Sequence, residues 1–150
     1  MDIFKAIQDG QTEAVERYLT GGADPNRIYE NGWTLLKAAA EHEQPEIVKL
    51  LVEGGADVNL QPDGGWTALH QAVDIAIDGT IQTGGQPGDE PVAIIRYLLE
   101  HGADPELRDT DGQHALDIAE AYRSEKVIAV LQSGMPRSNP ESDRNNPGSV

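Results

Sequence analysis

The tripeptide Gly-Ala-Asp occurs three times in this chain, at residues 22–24, 55–57 and 102–104. The first two copies are 33 residues apart and the last two are 47 residues apart. A repeat of this length is typical of a stack of similar units, each of which buries its apolar face against its neighbours. It argues against a single closed fold around a catalytic centre. The longer interval means that one unit carries about 14 additional residues.

Two helical segments are predicted in each unit. The first follows a Gly turn and has Leu and Ala on one face, and the small Ala side chains let neighbouring helices approach closely. The second has apolar residues at the i, i+3 and i+4 spacing of an amphipathic helix. Thr12 and Ser124 are candidate N-caps, and Pro45 and Pro91 suit a first-turn position. The second segments are predicted over residues 12–20, 45–53, 91–100 and 125–132.

The chain resembles the ankyrin-repeat family over about residues 1–132. Residues 66–72 read Trp-Thr-Ala-Leu-His-Gln-Ala, close to that family's Thr-Pro-Leu-His-x-Ala signature. Residues 55–59, Gly-Ala-Asp-Val-Asn, match the family's linker into the next hairpin. The resemblance implies an all-α repeat solenoid of helix-turn-helix units joined by β-hairpin-like loops. The four implied units span about residues 1–26, 27–59, 60–106 and 107–132.

The units depart from the family pattern at the signature His. His70 occupies that place in the third unit, but Phe4, Lys37 and Asp117 occupy it in the others. The side-chain hydrogen bonding that the resemblance implies for this His is therefore expected only in the third unit. The first unit lacks its hairpin and the last has no Gly-Ala-Asp after it. Such atypical ends are expected of capping units.

Two further segments depart from the pattern. Glu106 stands where the preceding units have Asn26 and Asn59, so the last hairpin is expected to be less rigid. Residues 133–150 are rich in Pro, Ser, Asn and Gly and have almost no apolar content, which predicts a disordered tail.

The charge of the chain narrows the classes of partner. The formal net charge is −15 at pH 7, and the excess lies in residues 1–132. Nucleic-acid binding needs basic footprints, so the charge argues against it, and it also disfavours anionic membranes. It favours a basic partner, or serves solubility alone. The chain also shows no signal peptide and no apolar run of membrane-spanning length, so a cytoplasmic location is expected.

The residues needed for catalysis or metal binding are not found in a suitable pattern. The chain has no cysteine, and its four histidines have no metal-ligand spacing. Residues 83–88 are rich in Gly but lack the Lys-Ser/Thr of a phosphate loop. Residues 109–112 lack the outer acids of a calcium loop and are better explained as a turn. The sequence therefore predicts a chain without catalysis, cofactor or metal.

The resemblance implies that a protein partner docks on the concave face made by the hairpin tips and the ends of the inner helices. On the hairpins the corresponding residues are Glu30, Asn31, Trp33, Asp63, Trp66, Thr110, Asp111 and Gln113. On the inner-helix ends and in the additional segment they are Glu41, His42, Asp74, Ile75, Asp78, Asp89, Glu90 and Tyr122.

Two features of that face are predicted to carry recognition. Trp33 and Trp66 hold the same place in adjacent units and are expected to lie side by side, where they either bind a partner or pack on the next hairpin. An acidic groove with two aromatic residues suits a segment that bears Arg or Lys. The additional length is predicted as a Gly-rich acidic loop over residues 78–90, and loops of this length are usually functional or disordered.

The sequence therefore predicts a non-catalytic protein–protein interaction module, monomeric on its own, that binds through the concave face and the 78–90 loop. A basic partner is favoured by charge. Two alternatives stay open. One is an immunity or inhibitor protein that neutralises a basic toxin, and the other is a structural scaffold within a larger assembly.

Overall fold

A computed structural model describes residues 2–62, 64–86, 88 and 90–134, and over these residues the chain forms eight α-helices and no β-strand. Helices alternate between an inner and an outer layer, and each packs on the next helix of its own layer. This arrangement confirms the predicted helical solenoid. The inner helices are α1 (Ile3–Gln8), α3 (Leu35–Glu41), α5 (Ala68–Gln82) and α7 (Ala115–Ala121). The outer helices are α2 (Thr12–Thr20), α4 (Pro45–Glu53), α6 (Ala93–Glu100) and α8 (Glu125–Gly134).

One continuous apolar core runs along the stack between the two layers. On the inner helices it is built largely from alanine, and Ala39, Ala40 and Ala72 are almost completely buried. The outer helices contribute larger side chains, of which Leu51 and Leu98 have no exposed surface. The small inner residues allow the inner helices to lie closer together than the outer ones, which curves the stack towards the inner side. In the described residues no helix is both long enough and apolar enough to cross a membrane.

The inner helices begin at side-chain caps. Thr67 Oγ1 accepts a hydrogen bond from the His70 N–H, and His70 Nδ1 accepts one from the Thr67 N–H, at 3.3 and 3.2 Å. At the start of α7 the residue types are different but the reciprocal pattern remains. His114 Nδ1 accepts from the Asp117 N–H and Asp117 Oδ2 accepts from the His114 N–H, at 3.1 and 2.9 Å. Both arrangements satisfy backbone donors that the first turn leaves unpaired.

Three of the four outer helices begin at the predicted residue, and α6 begins two residues later than predicted. Of the four predicted start signals, two are confirmed and two are wrong. Pro45 is the first residue of α4, and Ser124 Oγ accepts a hydrogen bond from the backbone N–H three residues later, at 3.4 Å. Thr12 is already helical, and the cap before it is Gln11, whose side chain makes no capping hydrogen bond. Pro91 lies before α6 rather than in its first turn. Such shifts of one or two residues are common at helix ends.

The predicted 78–90 loop is only partly a loop. Helix α5 continues to Gln82, so residues 78–82 are helical. With 15 residues, α5 is eight residues longer than α3 or α7, and its last two turns project beyond both neighbours by about 12 Å. The remaining insertion connects this projecting end to α6.

The predicted tail also begins too early. Helix α8 continues through Gly134, which is two residues inside the segment predicted as disordered. Residues 135–150 lie outside the described part of the chain, so the prediction for them stays a prediction.

Two of the three Gly-Ala-Asp segments are followed, two residues later, by an asparagine that joins its unit to the next one. Asn26 Nδ2 donates to the Gly55 carbonyl at 3.0 Å, and its Oδ1 accepts from the backbone N–H of Asp57. Asn59 repeats both bonds one unit further on, to the Gly102 carbonyl at 2.9 Å and from the Asp104 N–H at 2.7 Å. The amide side chain is suited to this role because it carries a donor and an acceptor together.

We predict that Asn59→Ala lowers the free energy of unfolding by about 1–2 kcal/mol, because it removes both hydrogen bonds between the third unit and the one before it. Urea unfolding followed by circular dichroism measures the change. Glu106→Ala is the matched control, since Glu106 holds the equivalent place in the repeat and an ionised carboxylate has no donor. Equal losses in the two variants would show that the asparagine bonds do not stabilise the stack.

Candidate functional site

A cleft of about 750 Å³ lies between the first hairpin and the inner helices α1 and α3. Phe4 comes from α1, Trp33 closes the hairpin, and the end of α3 supplies Glu41 and His42. The remaining lining residues are Arg27, Ile28, Tyr29, Glu30 and Ala38. The cleft therefore brings together four of the predicted binding residues, namely Glu30, Trp33, Glu41 and His42.

One wall of the cleft is a hydrogen-bonded aromatic cluster. The Phe4 and Tyr29 rings meet edge to face with centroids 4.8 Å apart, and the Tyr29 and Tyr18 hydroxyls lie 3.0 Å apart. Arg27 covers the Tyr29 ring, with its guanidinium carbon 4.6 Å from the ring centroid. Burial, and then the hydrogen bond with Tyr18, raise the pKa of Tyr29 to about 12. The phenol is uncharged near neutral pH, so this wall presents aromatic rings beside the cationic Arg27.

Trp33 also lines the cleft, and a buried lysine contacts its ring. The Trp33 side chain is half-buried, and the Lys37 ammonium lies 5.3 Å from its ring centroid. Lys37 Nζ also donates to the Gly32 carbonyl at 3.3 Å, and burial lowers the pKa of this lysine. Lys37 thus holds the hairpin of its own unit from the place where the third unit has His70. Hairpin and inner helix are tied together directly beneath the cleft.

Trp66 has different surroundings from Trp33. Its Nε1 donates to Asp109 Oδ2 at 2.9 Å, and its ring stacks on His70 with centroids 5.9 Å apart. Two roles were considered for these tryptophans, binding a partner and packing on the next hairpin. The indole of Trp66 packs on the next hairpin. One unit earlier, the residue equivalent to Asp109 is Pro62, which has no side-chain acceptor.

His70 links the third unit to the hairpin of the fourth unit, as the resemblance implied for this residue. Its Nε2 lies 2.9 Å from the Gln113 carbonyl, and because a carbonyl only accepts, Nε2 carries the proton. Burial lowers the pKa of His70, which favours the neutral ring. Trp66 and His70 together fix the position of this hairpin relative to α5.

The concave side of α3 and α5 carries a group of carboxylates. Gln71 Nε2 donates to Glu41 Oε2 across the two helices, and Asp74 and Asp78 follow on the next turns of α5. Burial raises the pKa of Asp74, and the charges of Asp78 and Glu41 raise it further. Asp74 is therefore repelled by both of its carboxylate neighbours in the isolated chain. A cation supplied by a partner would relieve that repulsion.

Glu90 anchors the end of the insertion to the last helix pair. Only 5% of the residue is exposed, and its carboxylate accepts from Ser124 Oγ and from the Gly88 N–H, both at 2.8 Å. Lys126 Nζ adds a bond to the Gly88 carbonyl at 3.0 Å. Burial alone would raise the pKa of Glu90, but these hydrogen bonds and the Lys126 charge hold it below its usual value. Its predicted contact with a partner is not supported, because the carboxylate faces the protein interior.

The other predicted binding residues lie at separate places. Asn31 is exposed at the tip of the first hairpin, and Tyr122 is 46% exposed at the end of α7. Ile75 lines a smaller groove between α5 and α6 instead of the cleft. The last hairpin presents Thr110, Asp111 and Gln113 to solvent. The predictions for Asp63 and Asp89 lie outside the described residues.

Five lining residues of the cleft are absent from the sequence-based prediction, namely Phe4, Arg27, Ile28, Tyr29 and Ala38. The repeat does not mark them, since the residues equivalent to Ile28 and Tyr29 in the next unit are Gln61 and Pro62. Ile28 is 47% exposed, which is uncommon for an isoleucine. The sequence does contain one signal that could have identified these residues. The first hairpin carries the large side chains of Ile28 and Tyr29 where the next unit carries Gln61 and Pro62.

Comparison with known protein families assigns the fold. A family profile described as ankyrin repeats (3 copies) matches residues 3–77, and one described as ankyrin repeat matches residues 64–110. The chain belongs to the ankyrin-repeat family. Ankyrin repeats are generally protein–protein interaction modules and are typically non-catalytic.

We predict that Asp74→Asn stabilises the chain at pH 7 by about 0.3–0.5 kcal/mol, the usual size of a like-charge repulsion one helical turn apart. Because the folded-state pKa of Asp74 is raised, the penalty is present above that pKa and is relieved as the pH falls through it. The gain should therefore disappear below about pH 4, near the usual pKa of aspartate. Thermal unfolding between pH 3 and pH 7 measures it. Glu16→Gln, on an exposed face of α2, is the control and should show no such gain.

We predict that Trp66→Phe lowers the free energy of unfolding by about 1 kcal/mol through loss of the hydrogen bond to Asp109. Burial would raise the Asp109 pKa, but this bond and two backbone N–H bonds hold it below its usual value. A depressed pKa stabilises the fold above the unfolded-state value, so the loss should shrink as the pH falls below about 4. Trp33→Phe is the control. A loss of equal size and pH dependence in that variant would contradict a role for the indole N–H of Trp66.

Proposed function

We propose that this chain binds a basic segment of a partner protein on its concave face, with no catalytic step. The observation that carries this proposal is the joining of an aromatic cleft to a group of mutually repelling carboxylates along α3 and α5. The overall charge of −15 also favours a positively charged partner. Charge of one sign along a groove speeds association with the opposite sign and excludes like-charged competitors.

The cleft suits a long cationic side chain or an aromatic residue next to one. Trp33 and Ile28 offer apolar surface for the stem of a lysine or arginine. Glu30 and Glu41 lie on opposite sides of that surface, on the hairpin and on α3, where they can meet the charged end. Tryptophan in a half-buried, rigid setting is the residue type that most often dominates an interface.

The carboxylates of α5 extend the same surface towards the projecting end of that helix. Asp74 and Asp78 lie one and two turns beyond the Gln71–Glu41 hydrogen bond. A partner segment that starts in the cleft and runs towards α5 meets one acidic group after another. Such a path connects the concave face to the insertion.

A sharper form of the proposal is that the chain is an immunity or inhibitor protein that neutralises a basic toxin, such as a nuclease. The charge of −15 favours it, because enzymes that act on nucleic acid carry basic substrate surfaces that an acidic protein can cover. The structural scaffold is the remaining alternative. It requires several simultaneous partners instead of one tight complex.

Trp33→Ala should weaken binding of the natural partner by at least about tenfold, which corresponds to loss of a moderate interface hot spot. The full chain is used to capture partners from an extract of its source organism, and the affinity of the purified partner is then measured at several salt concentrations. Trp66→Phe is the matched control and should leave affinity unchanged, because that ring is engaged by Asp109 and His70.

Three outcomes would contradict the proposal. Captured partners could all be acidic or neutral, affinity could be independent of salt, or the two tryptophan variants could bind equally well. A stoichiometry of one chain to one basic partner favours the inhibitor form, whereas several partners on one chain favour the scaffold.

A further inference from the structure

Two of the aromatic rings that line the concave cleft already lie against a cation of the chain itself. The Arg27 guanidinium carbon is 4.6 Å from the Tyr29 ring centroid, and the Lys37 ammonium is 5.3 Å from the Trp33 ring centroid. Both distances are within the range of about 6 Å over which an aromatic ring attracts a cation. A further cation brought to either ring would be repelled by the cation that is already there.

The cation at Trp33 is held in place by the fold. Lys37 is buried, and its Nζ donates a hydrogen bond to the Gly32 carbonyl of the same hairpin at 3.3 Å. The equivalent residue of the third unit, His70, bonds to the next hairpin instead, and burial lowers its pKa and favours the neutral ring. The second unit therefore keeps a cation beside its tryptophan where the third unit has an uncharged imidazole.

The charges around the cleft balance, unlike those of the chain as a whole. Glu30 and Glu41 are the acids of the lining. Arg27 in the lining and Lys37 beside Trp33 supply an equal number of positive charges. With histidine counted as neutral at pH 7, the cleft offers aromatic surface without a net charge. Such a surface suits an uncharged side chain, because a charged one would lose its hydration without gaining a free counter-charge.

The unbalanced negative charge of the concave face lies next to the cleft, on α5. Gln71 of α5 donates a hydrogen bond to Glu41 of α3, so the two helices meet at the edge of the cleft. Asp74 and Asp78 follow Gln71 by three and seven residues, which is about 4.5 and 10 Å along the helix axis. After burial, the groups that raise the pKa of Asp74 are Asp78 and Glu41, and both are carboxylates. Cations of a partner therefore gain more on α5 than in the cleft.

We propose that Arg27 and Lys37 are specificity-determining residues, which reserve the cleft for an uncharged aromatic or aliphatic side chain. The cations of the partner then pair with Asp74 and Asp78. The proposal rests on the proposed binding of a basic segment and deepens it. Of the two occupants that suit the cleft, it selects the aromatic residue next to a cation over the cation itself.

The geometry also sets the spacing of the partner residues. Neighbouring helix axes are about 8–10 Å apart, so α5 lies about that far beyond α3 from an anchor in the cleft. In an extended segment, side chains about two and four residues from the anchor lie on the same side as it, at about 7 and 13 Å. Lys or Arg is therefore expected at these two positions.

Fluorescence of Trp33 tests the proposal in the full chain. Trp66→Phe leaves Trp33 as the only tryptophan, so its emission reports on the cleft. The probes are synthetic peptides with Arg two and four residues from an anchor position that holds Phe, Lys or Ala. At up to about 1 mM, the Phe peptide should bind at least about tenfold more tightly than the other two. Attraction by charge alone gives the opposite order for Phe and Lys, because the Lys peptide carries the higher charge.

Removal of the chain's own cations should narrow this preference. Arg27→Gln and Lys37→Met each replace a cation by an uncharged side chain, and each should reduce the ratio of the Phe and Lys affinities at least about threefold. Arg17→Gln removes the same charge from an exposed position on α2 and is the matched control, which should leave the ratio unchanged. Arg27 is exposed, so its variant tests the proposal even if replacement of the buried Lys37 unfolds the chain.

The opposite results overturn the proposal. A Lys peptide that binds as tightly as the Phe peptide would show that the cleft accepts a cation. An unchanged ratio in the folded Arg27 and Lys37 variants would show that these residues do not select the occupant. Equally tight binding of N-acetyl-phenylalaninamide would make the cleft a site for free small molecules. No change of emission with the Phe peptide at about 1 mM would exclude an uncharged anchor.

One further peptide separates this proposal from the proposed binding of a basic segment. It carries the Phe anchor with Glu in place of both Arg residues, and it should bind at least about tenfold more weakly than the Arg-flanked peptide. Equal binding of these two peptides would contradict a basic partner while the preference for Phe over Lys still stands. Tighter binding of the Lys peptide, weakened by salt, would contradict the uncharged anchor while the basic partner still stands.

Discussion

Close packing between neighbouring inner helices is the constraint on which the rest of this structure depends. Ala39, Ala40 and Ala72 are almost completely buried where α3 meets α5, and a helix pair has no other surface on which to bury its apolar face. Polar links then fix how one unit sits on the next. Asn59 bonds to the backbone of the following unit, and His70 holds the following hairpin. The hairpins, and the cleft between hairpin and inner helix, are therefore positioned by interfaces between units.

Surfaces available for recognition arise where a unit departs from the repeat. The first hairpin carries Ile28 and Tyr29 where the next one carries Gln61 and Pro62, and these larger residues line the cleft. Helix α5 is longer than α3 and α7, and its projecting end leaves a groove against α6. The shared packing keeps the stack regular, while the local differences give it distinct surfaces. A repeat fold can change its partner in this way without changing its core.

The fold was predictable because its determinants recur along the sequence. The Gly-Ala-Asp period, the alanine-rich inner segments and the amphipathic outer segments each point to the same helix pairs. The extension of α5 was not predictable, since Gly79 and Thr80 have low helix propensity. Burial of Ile77 and the bond from Thr80 Oγ1 to the Ala76 carbonyl stabilise it in the folded chain. Such stabilisation depends on packing that no local pattern reveals.

In the candidate site, too, the sequence identifies residue types, whereas their surroundings depend on residues that are distant in the chain. Glu90 looks like one more surface acid in a Gly-rich segment, and its burial depends on Ser124, which lies 34 residues further along the chain. The acids of α3 and α5 were recognised from the sequence, but not their mutual repulsion. Burial, and then repulsion by Asp78 and Glu41, raise the pKa of Asp74, and both lower the stability of the free chain at neutral pH. A partner that places a cation beside these carboxylates removes their repulsion on binding. The residues that destabilise the free chain therefore contribute binding free energy to a complex with a basic partner.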